Sequence, residues 1–135
     1  MNLAVAVFSV TSFLYPGPYL ADLVRVIDGD SLFANVYVWP GTFVTVNVRL
    51  DGINAPEIRT RSKCEKAAGL KAKRFLEEEI GGKYLTLKSV RRGKYAGRVL
   101  ADVYAGQTNL GKLMLEKGLA RPYSSGRRQP WCSDI

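Results

Sequence analysis

The sequence predicts a mainly β fold with helices, an α+β domain whose centre is a five-stranded barrel of the OB type. Three observations carry this. Five short apolar runs separated by Gly-containing turns have the composition of strands. One segment with helix start and stop signals falls between the third and fourth runs, and a shorter helical segment follows the fifth. The resulting order, β-β-β-α-β-β-α, is that of the OB-fold barrel. At 135 residues with 47% hydrophobic and 24% charged side chains, the chain has the composition of one globular domain and the length to bury a single core.

The first three strands read as Leu23 to Asp28, Leu32 to Trp39 and Phe43 to Asp51. In the third, Val44, Val46, Val48 and Leu50 alternate with Thr45, Asn47, Arg49 and Asp51, so Arg49 is expected on the polar face. A helix is expected to start at Ser62, where Ser62 and Glu65 have capping-box spacing, and to end at Gly81-Gly82. Ala68, Ala72, Phe75, Leu76 and Ile80 give it an apolar face. Tyr84 to Val90 and Arg98 to Tyr104 complete the strands, and a short helix from about Leu110 to Lys117 stops at Gly118. Residues 1–21 hold no charged side chain, and Leu3 to Tyr15 has the length of a signal-peptide core while being too short to span a bilayer. Residues 1–20 are therefore read as a leader or an N-terminal arm, and 21–135 as the folded domain.

Charge narrows the function. The chain has net charge +8 and no histidine. This excludes Ser-His-Asp hydrolysis, Cys-His proteolysis and His-ligated metals, so any metal must be held by oxygens. Residues 1–58 carry two basic against five acidic side chains, a net of −3, whereas residues 59–135 carry eighteen against seven, a net of +11. An acidic spot set against a basic surround suits a site that holds a cation and a phosphate together. Cys64 and Cys132 lie too far apart for a Cys-x-x-Cys motif and are either two buried thiols or one disulfide.

Three segments hold the candidate chemistry. In Ile27-Asp28-Gly29-Asp30-Ser31 two carboxylates flank a glycine; this suits a hard cation but is also a frequent hairpin turn. Val48-Arg49-Leu50-Asp51-Gly52-Ile53-Asn54-Ala55-Pro56-Glu57 places a cation, an amide and carboxylates at a strand end and the loop beyond. Pro56 favours an extended Ala55, whose carbonyl could then turn outward as an oxygen ligand. Arg91-Arg92-Gly93-Lys94-Tyr95-Ala96-Gly97-Arg98 is a basic loop with one aromatic ring, a composition that suits phosphate as well as plain solvation.

Jointly, and with Gly118-Leu119-Ala120, these segments resemble the staphylococcal nuclease (thermonuclease) family from about Ala21 to Tyr123. The resemblance implies an OB-fold barrel that cuts DNA and RNA phosphodiesters with Ca²⁺. By the same resemblance Asp30 is the metal carboxylate with Asp28 beside it, Arg49 and Arg98 are the catalytic arginines, and Glu57 is the catalytic glutamate. Lys94 and Tyr95 then serve the substrate phosphate, and Tyr123 matches a nucleobase-stacking tyrosine. The tail from Gly126 to Cys132 resembles that of an exported subgroup in which the two cysteines, here Cys64 and Cys132, pair.

Two departures stand out. The family's second metal aspartate falls on Asn54 and its threonine on Ala55, which offers only a carbonyl, so weak Ca²⁺ binding is expected. The spacing from Tyr95 to Arg98 is also one residue longer than in the family. The chemistry is consistent without imidazole: guanidinium donors and a cation neutralise the phosphodiester while Glu57 orients water. The expectation is a monomeric, exported nuclease without membrane insertion beyond a leader. The rival is an OB-fold module that binds nucleic acid without cutting, its metal site degenerate.

Overall fold

The computed structural model describes residues 14–94, 97–123 and 129–132. Tyr95, the Arg127-Arg128 pair and most of the leader candidate lie outside the described residues. Strand β1 spans Tyr19–Asp28, β2 Ser31–Trp39, β3 Thr42–Leu50 and the short β4 Ile53–Asn54. Helix α1 (Lys63–Ile80) precedes β5 (Leu85–Arg92), β6 (Arg98–Ala105) and β7 (Thr108–Asn109). Helix α2 (Leu110–Glu116) and β8 (Arg121–Pro122) follow. Among the described residues no helix is long and apolar enough to cross a membrane.

The expected barrel is present. β1, β2 and β3 form an antiparallel meander, β5 pairs with β1 and β6 with β5, and a parallel pairing of β3 with β6 closes the five-stranded ring. β4 and β8 form a separate two-stranded ladder beside it. β1 begins at Tyr19, earlier than the predicted Leu23, and Tyr15 makes a bridge to Val90. The alternation that marked β3 holds at the site end, where Val48 and Leu50 are buried, and fails at Val44, which is half-exposed because the strand there runs past the core. Leu32, Ile53, Leu76, Ile80, Leu85, Leu87, Leu110 and Met114 fill the interior, joining the barrel to one face of each helix.

Helix α1 starts where its cap predicts, with the Ser62 hydroxyl accepting from the Glu65 N–H at 3.2 Å. Only half of the capping box forms. The Ser62 N–H donates to the Thr60 hydroxyl, and the Glu65 carboxylate accepts at 2.8 Å from the N–H of Glu57. The helix start thus holds the loop that leads out of β4. At the other end Gly81, with φ 46°, takes the left-handed cap conformation that favours glycine.

Candidate active site

The acidic end is built at the β1–β2 turn. Asp28 Oδ1 accepts from the Asp30 N–H at 3.1 Å and from the Ser31 hydroxyl at 2.7 Å, which folds the turn around its own carboxylate. Gly29 is required here for a reason the hairpin reading does not supply, since its φ is not positive. A Cβ at this position would lie 2.7 Å from Ala72 Cβ and 2.8 Å from Ala55 Cβ, so glycine lets α1 and the loop after β4 close onto the turn. Asp30 is consequently 6% exposed. Its Oδ2 accepts from the Ala55 N–H at 2.8 Å and its Oδ1 lies 3.4 Å from Arg49 Nη1. Burial first, then the hydrogen bond and charge of Asp28, push the Asp30 carboxyl up to about 7, against the opposing pull of Arg49 and the Ala55 N–H.

Arg49 projects from the outer face of β3, as the alternation predicts, and meets several partners. Besides Asp30, its Nη2 donates to the Ile53 carbonyl at 3.1 Å and to Asn54 Oδ1, and its guanidinium carbon lies 5.9 Å from the centre of the Tyr123 ring. Asn54 thus presents its amide oxygen to an arginine, whereas the sequence suggested an oxygen for metal.

The basic end is a cleft of about 290 Å³ on the outside of the barrel, lined by Arg49, Arg91, Lys94, Arg98, Leu100 and Tyr123 among others. Arg98 opens β6, and its Nε is buried with no hydrogen-bond partner among the described residues. Gly93 allows the hairpin to close, because a Cβ there would lie 2.7 Å from the Arg98 carbonyl oxygen. Arg49, Lys94, Arg98 and Tyr123 therefore share one cleft, while Asp30 and Asn54 meet the Arg49 guanidinium and Asp28 and Ala55 hold Asp30.

Glu57 is outside the cleft lining and exposed, with its backbone N–H held by Glu65. Its carbonyl approaches Gly69 so closely that a Cβ on Gly69 would lie 3.0 Å from it, and 2.9 Å from the Pro56 carbonyl. The rest of the loop is braced from the C-terminal side. β8 pairs with β4, Ile53 opposite Pro122 and Asn54 opposite Arg121, and the Tyr123 N–H donates to the Gly52 carbonyl at 2.8 Å. Arg121 stacks 4.0 Å over Trp131 and donates to the carbonyls of Gln129 and Pro130. Cys132 forms a disulfide with Cys64 at the start of α1, with a Cα separation of 6.2 Å.

Sequence reasoning missed Glu65, Gly69 and Arg121, which act on the site through backbone. It also passed over an ion pair of 2.7 Å between Arg91 and Asp51 in the cleft. Arg91 lay in the basic segment already singled out, but nothing in that run of residues distinguished it from its neighbours.

An OB barrel bearing a basic cleft, joined through one arginine to a buried carboxylate, is a protein arranged to receive a phosphate-bearing polyanion. Residues 47–131 match the model of the staphylococcal nuclease homologue family, and the chain belongs to that family, whose function is of nuclease type. Comparison with curated proteins gives no match.

Proposed function

We propose that this protein is a metal-assisted nuclease that hydrolyses phosphodiester bonds of DNA and RNA. The observation that carries the reading is the position of Arg49, which touches Asp30 on one side and lines the cleft with Arg98 on the other. A phosphate bound there lies between two guanidinium groups and next to a carboxylate. Arg49 and Arg98 bind its non-bridging oxygens, and the Nε of Arg98, which has no acceptor among the described residues, gains one. Both stabilise the charge added in the transition state. Glu57 accepts the proton of the attacking water, with its loop fixed by Glu65 and Gly69. Lys94, Tyr95 and Tyr123 hold the strand on either side.

The donor chemistry fits Ca²⁺. Asp30, Asp28, the Ala55 carbonyl and the Asn54 amide all offer hard oxygens, the donor type that Ca²⁺ takes. An ion held by these oxygens would polarise a phosphoryl oxygen and lower the pKa of a bound water. Asp30 and Asp28 supply its charge, and Asn54 contributes less than a carboxylate would. The Cys64–Cys132 disulfide supports export to an oxidising compartment.

A second reading, a module that binds nucleic acid without cutting, draws on one observation: Asn54 Oδ1 is engaged by Arg49, and among the described residues no three Asp, Glu, Cys or His side chains group to hold a metal. The experiment that separates the two incubates purified protein with single- and double-stranded DNA in Ca²⁺, in Mg²⁺ and in chelator. Metal-dependent cleavage is expected, with Glu57→Gln slower by about a hundredfold to ten-thousandfold at retained DNA affinity. Salt-sensitive binding with no cleavage in any metal would establish the module instead.

A further inference from the structure

Strict alternation along β5 would bury Arg91. Leu85 and Leu87 face the core, so Ser89 and Arg91 should follow them inward. The strand avoids this with a bulge. Lys88 pairs with Asp102 and Arg91 with Leu100, so β5 spends three steps where β6 spends two. Ser89 absorbs the extra residue at φ 53°, a left-handed conformation costly for a side chain other than glycine. Its backbone is held there by a hydrogen bond from its N–H to the Pro16 carbonyl at 3.0 Å. Beyond the bulge Val90 packs against the core and Arg91 turns out into the cleft.

The register then aligns three outward residues in one row across the barrel. Arg49 of β3 lies opposite Leu100 of β6, and Leu100 lies opposite Arg91 of β5. Two strand spacings of ~4.8 Å put the backbones of the two arginines about 10 Å apart, with Leu100 as an apolar floor between them. Asp51, just past the end of β3, holds Arg91 Nη2 at 2.7 Å. With side chains 45% and 28% exposed, this pair adds little to stability, but it fixes the direction of a guanidinium whose other donors point away from the carboxylate.

We propose that Arg91 is a second phosphate-binding residue of the cleft, positioned by the Ser89 bulge and Asp51 to take the phosphodiester next to the one held by Arg49 and Arg98, with the intervening sugar over Leu100. This rests on the nucleic-acid reading above and deepens it. The ligand is a single strand carrying two successive phosphodiesters, and a lone phosphodiester fills only half of the site.

The test measures binding in chelator, so that nothing is cut. A set of single-stranded tetranucleotides is prepared in which each phosphodiester in turn is an uncharged methylphosphonate. In the unaltered protein two adjacent positions should each cost about tenfold in Kd when neutralised. In Arg91→Ala one of these penalties should vanish, affinity for the unmodified strand should fall about tenfold, and the salt slope should flatten by about 0.7. Arg91→Lys, which keeps the charge but loses the fork, should recover part of the affinity and the second sensitive position. If Arg91→Ala keeps both sensitive positions, or binds every strand equally more weakly, the assignment is wrong. A protein that shows the two positions in chelator yet cuts nothing in Ca²⁺ would overturn the nuclease reading and leave that of Arg91 standing.

Discussion

The two ends of the site are made by different means. At the acidic end, close packing sets the geometry: Gly29 has no room for a methyl group, Asp30 is buried, and α1 presses on the turn from one side and on the Glu57 loop from the other. At the basic end, register sets it. Arg49, Leu100 and Arg91 fall in one row because a bulge and a parallel ladder place them there, and Arg91 itself remains nearly half exposed. The acidic end thus keeps Asp30 from solvent, whereas the basic end leaves Arg91 exposed. The first end should be intolerant of added volume, the second tolerant of it and sensitive to charge and aim.

Arg49 belongs to both ends, so its loss should give the largest effect. Arg49→Ala removes a phosphate donor and leaves buried Asp30 without its countercharge, and kcat/KM on single-stranded DNA is expected to fall a thousandfold or more. An effect below tenfold would detach the two ends from each other. The next effect belongs to the acidic end alone. With the carboxyl raised to about 7 in the fold, Asp30 keeps its proton between pH 4 and 7 while the unfolded chain has lost its own. The folded state then binds more protons, so this group's contribution falls as pH rises through that window, by a few kcal/mol at most, and is level below and above it. In urea melts with chelator, Asp30→Asn should be more stable than the unaltered protein at pH 8 and should lose this part of the slope.

Gly29→Ala sharpens the contrast in packing. Its methyl group has to displace Ala72 or Ala55, and a loss of about 1–3 kcal/mol in urea unfolding is expected, against less than about 0.5 kcal/mol for Arg92→Ala on the exposed basic hairpin. The smallest effect concerns Asn54. Replacing Asn54 by Asp restores a negative charge beside Arg49 and Asp30 and should tighten Ca²⁺ binding about tenfold by calorimetry. Weaker binding would place the ion away from this residue.

Much of this comparison was legible in the sequence. Alternation placed Arg49 on the outer face of β3, cap residues placed the start of α1 at Ser62, and apolar runs gave all five barrel strands. The parts that escaped depend on residues distant in the chain. Gly29 looks like a turn glycine until α1 is packed on it, and Glu65 looks like half of a capping box until the Glu57 loop takes its carboxylate. Arg91 is expected in a basic loop beyond the strand, since no local signal marks Ser89 as the residue that takes a bulge and carries β5 on to Arg92. The β4–β8 ladder, two residues on each strand, is too short for any periodicity to reveal.

That small ladder orders events during synthesis. β4, which leads directly into Ala55 and Glu57, has its only ladder partner among the described residues in β8, and Cys132, which staples the tail to α1, comes ten positions after Pro122. A ribosome therefore releases every barrel strand before it releases the segment that braces the site loop. Closing that contact spans most of the domain, so its chain-entropy cost falls at the end. The scaffold exists before the site is braced, and the last cross-link waits for an oxidising surrounding.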